Sequence, residues 1–285
     1  MLVDLLRWAP KGTFSRLVGA AAKSPIPQKM RRPVYEAFAR RVGADLSEVR
    51  DPLETYESLD AFFTRHLRDG LRPQPSDPTV VTSPCDGTIS EHGAIRGETL
   101  VQAKDLDYDL GALLADADEA RRFTGGTWIT IYLAPKNYHR VHFATAGRVT
   151  GFRHIPGAFF PVNAFAARNV PGLFGKNERL VTYHEGAAGR VATVMVAASG
   201  VGHITVTYDA VETNRRGLGR PGVAVALDHP VDVARGDELG AFHLGSTVVL
   251  VFEPGRVTLS PSLAVGQPVR LGEPLGRLLR PEGKV

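Results

Sequence analysis

Three short clusters carry side chains suited to acid–base or nucleophilic chemistry. They are Ser83-Pro84-Cys85-Asp86-Gly87-Thr88-Ile89, Tyr138-His139-Arg140-Val141-His142-Phe143, and Leu244-Gly245-Ser246-Thr247 at the head of an apolar run. Together they supply an aspartate, two histidines and a serine, the residue types that orient an imidazole, accept a proton and generate a nucleophile. Each cluster is also ordinary by itself. Asp-Gly is a common turn dipeptide, histidines three apart occur on many surfaces, and Gly-Ser-Thr is frequent in loops. The chain has no GxGxxG with an acidic partner, no GxxxxGK[ST], no HExxH and no GxSxG elbow, so nucleotide-binding and zincin readings fall away. The other histidines, His66, His92, His154, His184, His203, His229 and His243, lack metal-ligand spacing, and no metal is expected.

The elements that must position these clusters are mostly strands. Short Val/Ile/Thr-rich runs separated by turn residues mark strands over Thr127–Leu133, Arg148–Arg153, Val191–Ala198, His203–Tyr208, Val223–Leu227, Thr247–Phe252 and Arg256–Leu259. Ahead of them, Tyr35, Phe38, Val42 and Leu46, then Leu59, Phe62, Phe63 and Leu67, repeat with helical spacing, with Ser58 as a cap for the second run. A Pro-rich connector, Arg72 to Pro78, follows this helical entry region. Leu100 to Phe123 is acidic and Ala/Leu-rich, the pattern of one surface helix with a solvated face.

Charge is concentrated at the start of the chain. Between Met1 and Arg41, nine Lys and Arg residues face only Asp4 and Glu36, and Leu2, Leu5, Leu6, Trp8, Phe14, Leu17 and Val18 are interleaved with them. That composition suits an amphipathic arm lying among anionic headgroups, or a basic solvated helix pair packed on its own domain. No recognised module points to nucleic acid. No signal-peptide core or uncharged apolar run of about 18 residues is present, so contact with a membrane is expected to be peripheral. The single cysteine, Cys85, excludes an intramolecular disulfide and is expected as a small buried apolar residue.

The three clusters, with Gly236-Asp237-Glu238-Leu239-Gly240 and Phe242 before the serine, resemble the bacterial membrane-type phosphatidylserine decarboxylases. Supporting matches are Phe62-Phe63-Thr64-Arg65, Phe160-Pro161-Val162-Asn163, Asn177-Glu178-Arg179 and Val201-Gly202, in the family's order from about residue 55 to about residue 260. The resemblance implies self-cleavage between Gly245 and Ser246, giving a large chain 1–245 and a small chain 246–285 that opens with a pyruvoyl group made from Ser246. Ser246 attacks the Gly245 carbonyl with His142 as base and Asp86 holding the imidazole, and Thr247 helps hold the intermediate. The pyruvoyl forms a Schiff base with phosphatidylserine, CO2 leaves, and His139, or else His142, protonates the carbon. Arg140 is a candidate for the lipid phosphate, or a surface arginine.

The expected architecture is α+β. A basic helical membrane-associating region, 1–70, leads into a β-rich catalytic domain, 71–285, completed by strands of the small chain. The resemblance places such a heterodimer, paired further into a dimer of heterodimers, peripherally on the cytoplasmic side of the cell membrane. Two other readings fit parts of the sequence. A Ser/His/Asp hydrolase predicts an intact chain. A lipoyl-like carrier or binding module accounts for the glycine-punctuated stretch Val257 to Gly276, but that stretch has no lysine in the expected turn.

Overall fold

A computed structural model describes residues 19–97, 99–100, 108–162, 166, 169–198, 203–214, 222–243 and 246–279. The first eighteen residues, the Leu244-Gly245 pair, Asn163 and Val201-Gly202 lie outside them.

The strands run in the order β1 (Val80–Thr82), β2 (Gly87–Arg96), β3 (Thr99–Leu100), β4 (Tyr108–Asp109), β5 (Thr127–Leu133), β6 (Arg140–His142), β7 (Gly147–Ile155), β8 (Arg179–Gly186), β9 (Gly189–Ala197), β10 (His203–Val206), β11 (Ala224–Val233), β12 (Glu238–His243), β13 (Ser246–Phe252), β14 (Val257–Leu259), β15 (Pro268–Val269) and β16 (Pro274–Leu278). An uninterrupted apolar, β-branched sequence belongs where both faces are covered, and β13, with the sequence Ser-Thr-Val-Val-Leu-Val-Phe, is such a strand. It pairs antiparallel with β5 on one side and β9 on the other, in a large sheet ordered β11-β7-β8-β9-β13-β5-β2-β3-β4, with β15 on β2. Two three-stranded sheets, β10-β12-β6 and β1-β16-β14, complete the body.

Alternation along β13 divides the core. Val248, Leu250 and Phe252 join a cluster with Ile129, Ile131, Leu133, Val141, Phe242 and residues of the small sheets. Val249 and Val251 face the other way, onto a cluster with Trp128, Leu110, Leu113 and Phe174. The large sheet is therefore a middle layer, with small sheets over one face and short helices over the other.

Those helices are α3 (Leu110–Leu114), α4 (Ala117–Arg122) and α5 (Leu173–Lys176), preceded in the chain by α1 (Gln28–Val42) and α2 (Leu59–Phe63). The expectation of one solvated helix over Leu100 to Phe123 is corrected. Ala115 takes a left-handed conformation (φ 52°), and Asp116 restarts the chain by accepting hydrogen bonds from the Asp118 and Glu119 amides. Leu110, Leu113 and Leu114 are buried, because the leucines cover the large sheet. The helical spacing near the N-terminus holds in α1 and α2, and Ser58 caps α2 by accepting from the Ala61 amide at 3.2 Å. Tyr35, Val49, Leu53, Tyr56 and Phe62 make a small core of their own there. Among the described residues no helix is long and apolar enough to cross a membrane.

Candidate active site

The Asp86 turn links β1 to β2 and is fully packed. The Ser83 hydroxyl donates to the Cys85 carbonyl at 2.7 Å, and Gly87 lets β2 approach β5, since a Cβ there meets Ile131 Cγ2 and the Tyr132 carbonyl at 2.6 Å. Cys85 is wholly buried, and burial, reinforced by Asp86, raises its thiol pKa well above the ordinary value. This is an inert apolar cysteine.

Asp86 does not hold His142. Its Oδ1 accepts from Arg72 Nε at 2.9 Å and from the Leu271 amide at 2.9 Å, and its Oδ2 accepts from Arg72 Nη2 at 2.6 Å. Arg72 also reaches Glu48 at 2.7 Å, and these partners raise the guanidinium pKa, the hydrogen bond to Asp86 most. The expected Asp–His hydrogen bond is thus replaced by a bidentate, nearly buried ion pair. The turn and the histidine still adjoin, because the His142 amide donates to the Pro84 carbonyl at 2.7 Å.

A carbonyl orients His142 instead. Its Nδ1 lies 2.8 Å from the Gly236 carbonyl, which only accepts, so Nδ1 carries the proton and Nε2 the lone pair. Gly236 has φ 89°, a conformation suited to glycine, and its own amide donates to the Phe143 carbonyl at 2.9 Å. His142 Nε2 faces the Tyr138 hydroxyl at 3.3 Å. Burial lowers the imidazole pKa against the opposing bond to Gly236. At neutral pH the ring is therefore an uncharged base with Nε2 available.

His139 is buried against Phe63, with ring centroids 4.1 Å apart. Its Nε2 donates to the Ala134 carbonyl at 3.0 Å, while Nδ1 is buried without a partner. Burial lowers its pKa to about 3. The expected imidazole near its working pKa is not found in this state, because a dry pocket disfavours the charged ring.

Both histidines are tied to neighbours of β13 through the backbone. Ser246 has Leu133 and Ala197 as its Cα partners. His139 is tied to Ala134, one residue beyond Leu133, and its carbonyl accepts from the Phe242 amide at 2.9 Å. β6, which carries His142, pairs with β12, which ends three residues before Ser246. Gly245 lies outside the described residues. Thr247 shares the face of Val249 and Val251, and its Oγ1 is buried without a partner.

Other residues of the motifs have structural partners, whether or not the sequence suggested a role for them. Asn177 Nδ2 donates to the Phe160 and Ala197 carbonyls at 2.9 and 2.8 Å, fixing the strand beside Ser246. Arg140 donates to Glu238 at 2.6 Å and to the Thr64 carbonyl at 2.8 Å, so its guanidinium is a clamp between β6, β12 and the residue after α2, not a free phosphate ligand. Glu238 and Gly236 were visible only as parts of the Gly236–Gly240 motif. Arg72 gave no signal beyond its place in the Pro-rich connector.

Comparison with known proteins bears on this arrangement. The sequence model of the family described as phosphatidylserine decarboxylase matches residues 59–277. A phosphatidylserine decarboxylase proenzyme of Anaeromyxobacter sp. (strain K) is 47% identical over 279 residues, covering 97% of this chain and 98% of its own. The chain belongs to the phosphatidylserine decarboxylase family. Proteins of the same name from Myxococcus xanthus and Halorhodospira halophila are 42% and 44% identical, over 96% of this chain and 97% and 93% of theirs. As a member of the phosphatidylserine decarboxylase family, the chain spans the family's length with the histidine-bearing sheet and the β13 serine inside the matched region.

Two expectations follow from the geometry. Arg72→Met leaves Asp86 and Glu48 without their shared cation and should cost about 3 kcal/mol or more of stability; a urea midpoint equal to the parent protein's contradicts this. His139 and His184 have pKa values lowered by burial to about 3 and about 4, below the ordinary 6.5. The unfolded chain therefore binds more protons below pH 6.5, and their contribution, complete above that pH, is lost as pH falls toward 4 and then 3. Each contributes a slope of up to about 1.4 kcal/mol per pH unit. Urea unfolding between pH 7 and pH 5 should show the decline, with a shallower slope in His184→Gln; parallel slopes in the two proteins count against it.

Proposed function

We propose that the chain is a proenzyme that splits itself between Gly245 and Ser246 and then converts phosphatidylserine to phosphatidylethanolamine and CO2, using the pyruvoyl group formed at Ser246. Family membership over almost the whole chain supports the activity. The observation that carries the residue assignment is the position of Ser246 at the head of a central strand that is paired on both sides.

In self-cleavage His142 Nε2 takes the Ser246 hydroxyl proton. The serine oxygen bonds to the Gly245 carbonyl carbon, and the peptide C–N bond breaks to leave an ester. Removal of the residue-246 Cα proton expels the Gly245 carboxylate, and water displaces the enamine nitrogen as ammonia. A 1–245 chain and a 246–285 chain capped by a ketone remain. Asp86 acts in this scheme by holding the turn beside His142, through Arg72 and the Leu271 amide, and not by direct contact with the imidazole.

The buried, unpartnered His139 Nδ1 is an acceptor, because Nε2 carries the proton, and the ammonium of a substrate bound to a small ketone at position 246 can satisfy it. The ketone supplies an electron sink for the pair left when CO2 departs. His139 Nδ1 is the nitrogen free to move a proton. A substrate carboxylate nearby opposes the burial that keeps the ring neutral. His139 then takes a proton that the substrate ammonium must shed and returns it to the carbon that lost CO2. Ala134 keeps the ring aimed by accepting from Nε2 throughout.

Residues 1–70 serve as the membrane-associating region of this enzyme and 71–285 as its catalytic body, with the basic arm resting on anionic lipid at the cytoplasmic face of the membrane. The two chains remain paired as a heterodimer, and two heterodimers associate.

Intact mass analysis tests the central claim. The parent protein should give two chains divided ahead of residue 246, the smaller without a free amino terminus, and Ser246→Ala should stay whole and inactive. An active, unbroken chain labelled on Ser246 by a serine-directed phosphonate supports a hydrolase instead. Deleting Met1 to Lys23 should reduce sedimentation with phosphatidylserine-containing liposomes, most at low salt; unchanged sedimentation removes the arm's role.

A further inference from the structure

Apart from the residues assigned above, one cluster of titratable side chains includes a histidine closer in sequence to the cleavage bond than His139 or His142. His243 ends β12, three residues ahead of Ser246. Its Nδ1 lies 2.9 and 3.0 Å from the two carboxylate oxygens of Asp60, in the first turn of α2. A carboxylate only accepts, so this nitrogen donates. Its Nε2 lies 3.3 Å from Thr205 Oγ1 on β10, and its ring packs on His203 with centroids 4.2 Å apart. His203 is held in turn by Glu212 at 3.1 Å and Lys23 at 3.3 Å. Both members of the Asp60–His243 pair are largely buried, at 13% and 16% side-chain exposure, so this is not a solvated surface pair whose contribution is negligible. The same short helix also supplies Phe63, which covers His139, and is followed by Thr64, whose carbonyl receives Arg140.

We propose that Asp60 is a positioning residue for self-cleavage, acting through His243. The hydrogen bond fixes the last residue of β12 against α2 and β10, and so sets where the chain leaves the small sheet on its way to Ser246. Entry to Ser246 is already fixed from the other side by the pairing of β13 with β5 and β9. A nucleophile and a carbonyl separated by one bond react fast only when their geometry is held close to that of attack, and Asp60 bears on that geometry through His243 alone. This inference rests on cleavage between Gly245 and Ser246.

The time course of chain splitting in full-length protein, read by denaturing electrophoresis and intact mass, tests it. Asp60→Ala should slow splitting at least about tenfold, equivalent to about 1.4 kcal/mol, with circular dichroism and melting showing a folded chain. Asp60→Asn, which keeps an oxygen to accept from His243 Nδ1, should split within about threefold of the parent rate. His243→Ala should be as slow as Asp60→Ala, and the double variant no slower than either, because the two act as one unit. Splitting of folded Asp60→Ala within twofold of the parent overturns the positioning role, as does equal loss in the alanine and asparagine variants or additive loss in the double variant. A parent protein that never splits ahead of residue 246 sinks the cleavage reading itself, and the role of Asp60 with it.

Discussion

Strand β13 has no free edge. Every residue from Ser246 to Phe252 has a Cα partner on β5 and another on β9, without a bulge in either register. A slip of one residue would exchange Val248 and Leu250 with Val249 and Val251, placing each set in the wrong core. The strand's first residue is therefore fixed in space by six residues that have no chemistry of their own. The small sheet β10-β12-β6 packs Val141, Ile204, Leu239 and Phe242 onto the core that holds Val248 and Leu250.

The two histidines are set by carbonyls more than by carboxylates. Gly236 accepts from one ring and Ala134 from the other, and each bond fixes which nitrogen keeps the proton. A carboxylate in either place would favour an imidazolium; a carbonyl in a dry setting favours the neutral ring, whose second nitrogen faces Tyr138 in His142 and has no partner in His139. Asp86 is kept out of that role by Arg72, which takes both of its oxygens. Asp86 is thus kept from bonding to the imidazole, and Glu48 on the same guanidinium ties the arrangement to the N-terminal region.

How much of this was legible in the sequence depends on how local each cause is. β5 and β13 were readable because burial on both faces demands continuous apolar, β-branched runs, and nothing else in the chain produces them. β2 and β12 were not, since Ser90, Glu91 and His92 break the first pattern where the strand is only partly covered, and Gly240 interrupts the second where its backbone meets the Thr205 carbonyl. Leu110 to Leu114 looked solvated because its neighbours are acidic, whereas tertiary packing turned its leucines inward. In the site, the identities Asp86, His139, His142 and Ser246 could be named from their motifs. Their partners could not. A backbone carbonyl such as Gly236 or Ala134 has no side-chain signature, and Arg72 meets Asp86 only because the chain folds back between them.

The same geometry explains why breaking the chain ahead of β13 need not break the fold. In the proposed maturation, the small chain keeps β13 to β16, and these strands are distributed over two sheets: β13 between β5 and β9, β15 on β2, and β16 between β1 and β14. Separating the products means unpairing β13 on both sides and exposing two cores at once, whereas the single covalent link that is lost lies at one end of that strand. Asp86 adds a further tie, since its Oδ1 accepts from the Leu271 amide of the prospective small chain while Arg72 holds it from the large one. A carboxylate in that position has a structural duty that survives cleavage, and its removal would loosen the joined chains even where the base, His142, keeps its tautomer through Gly236.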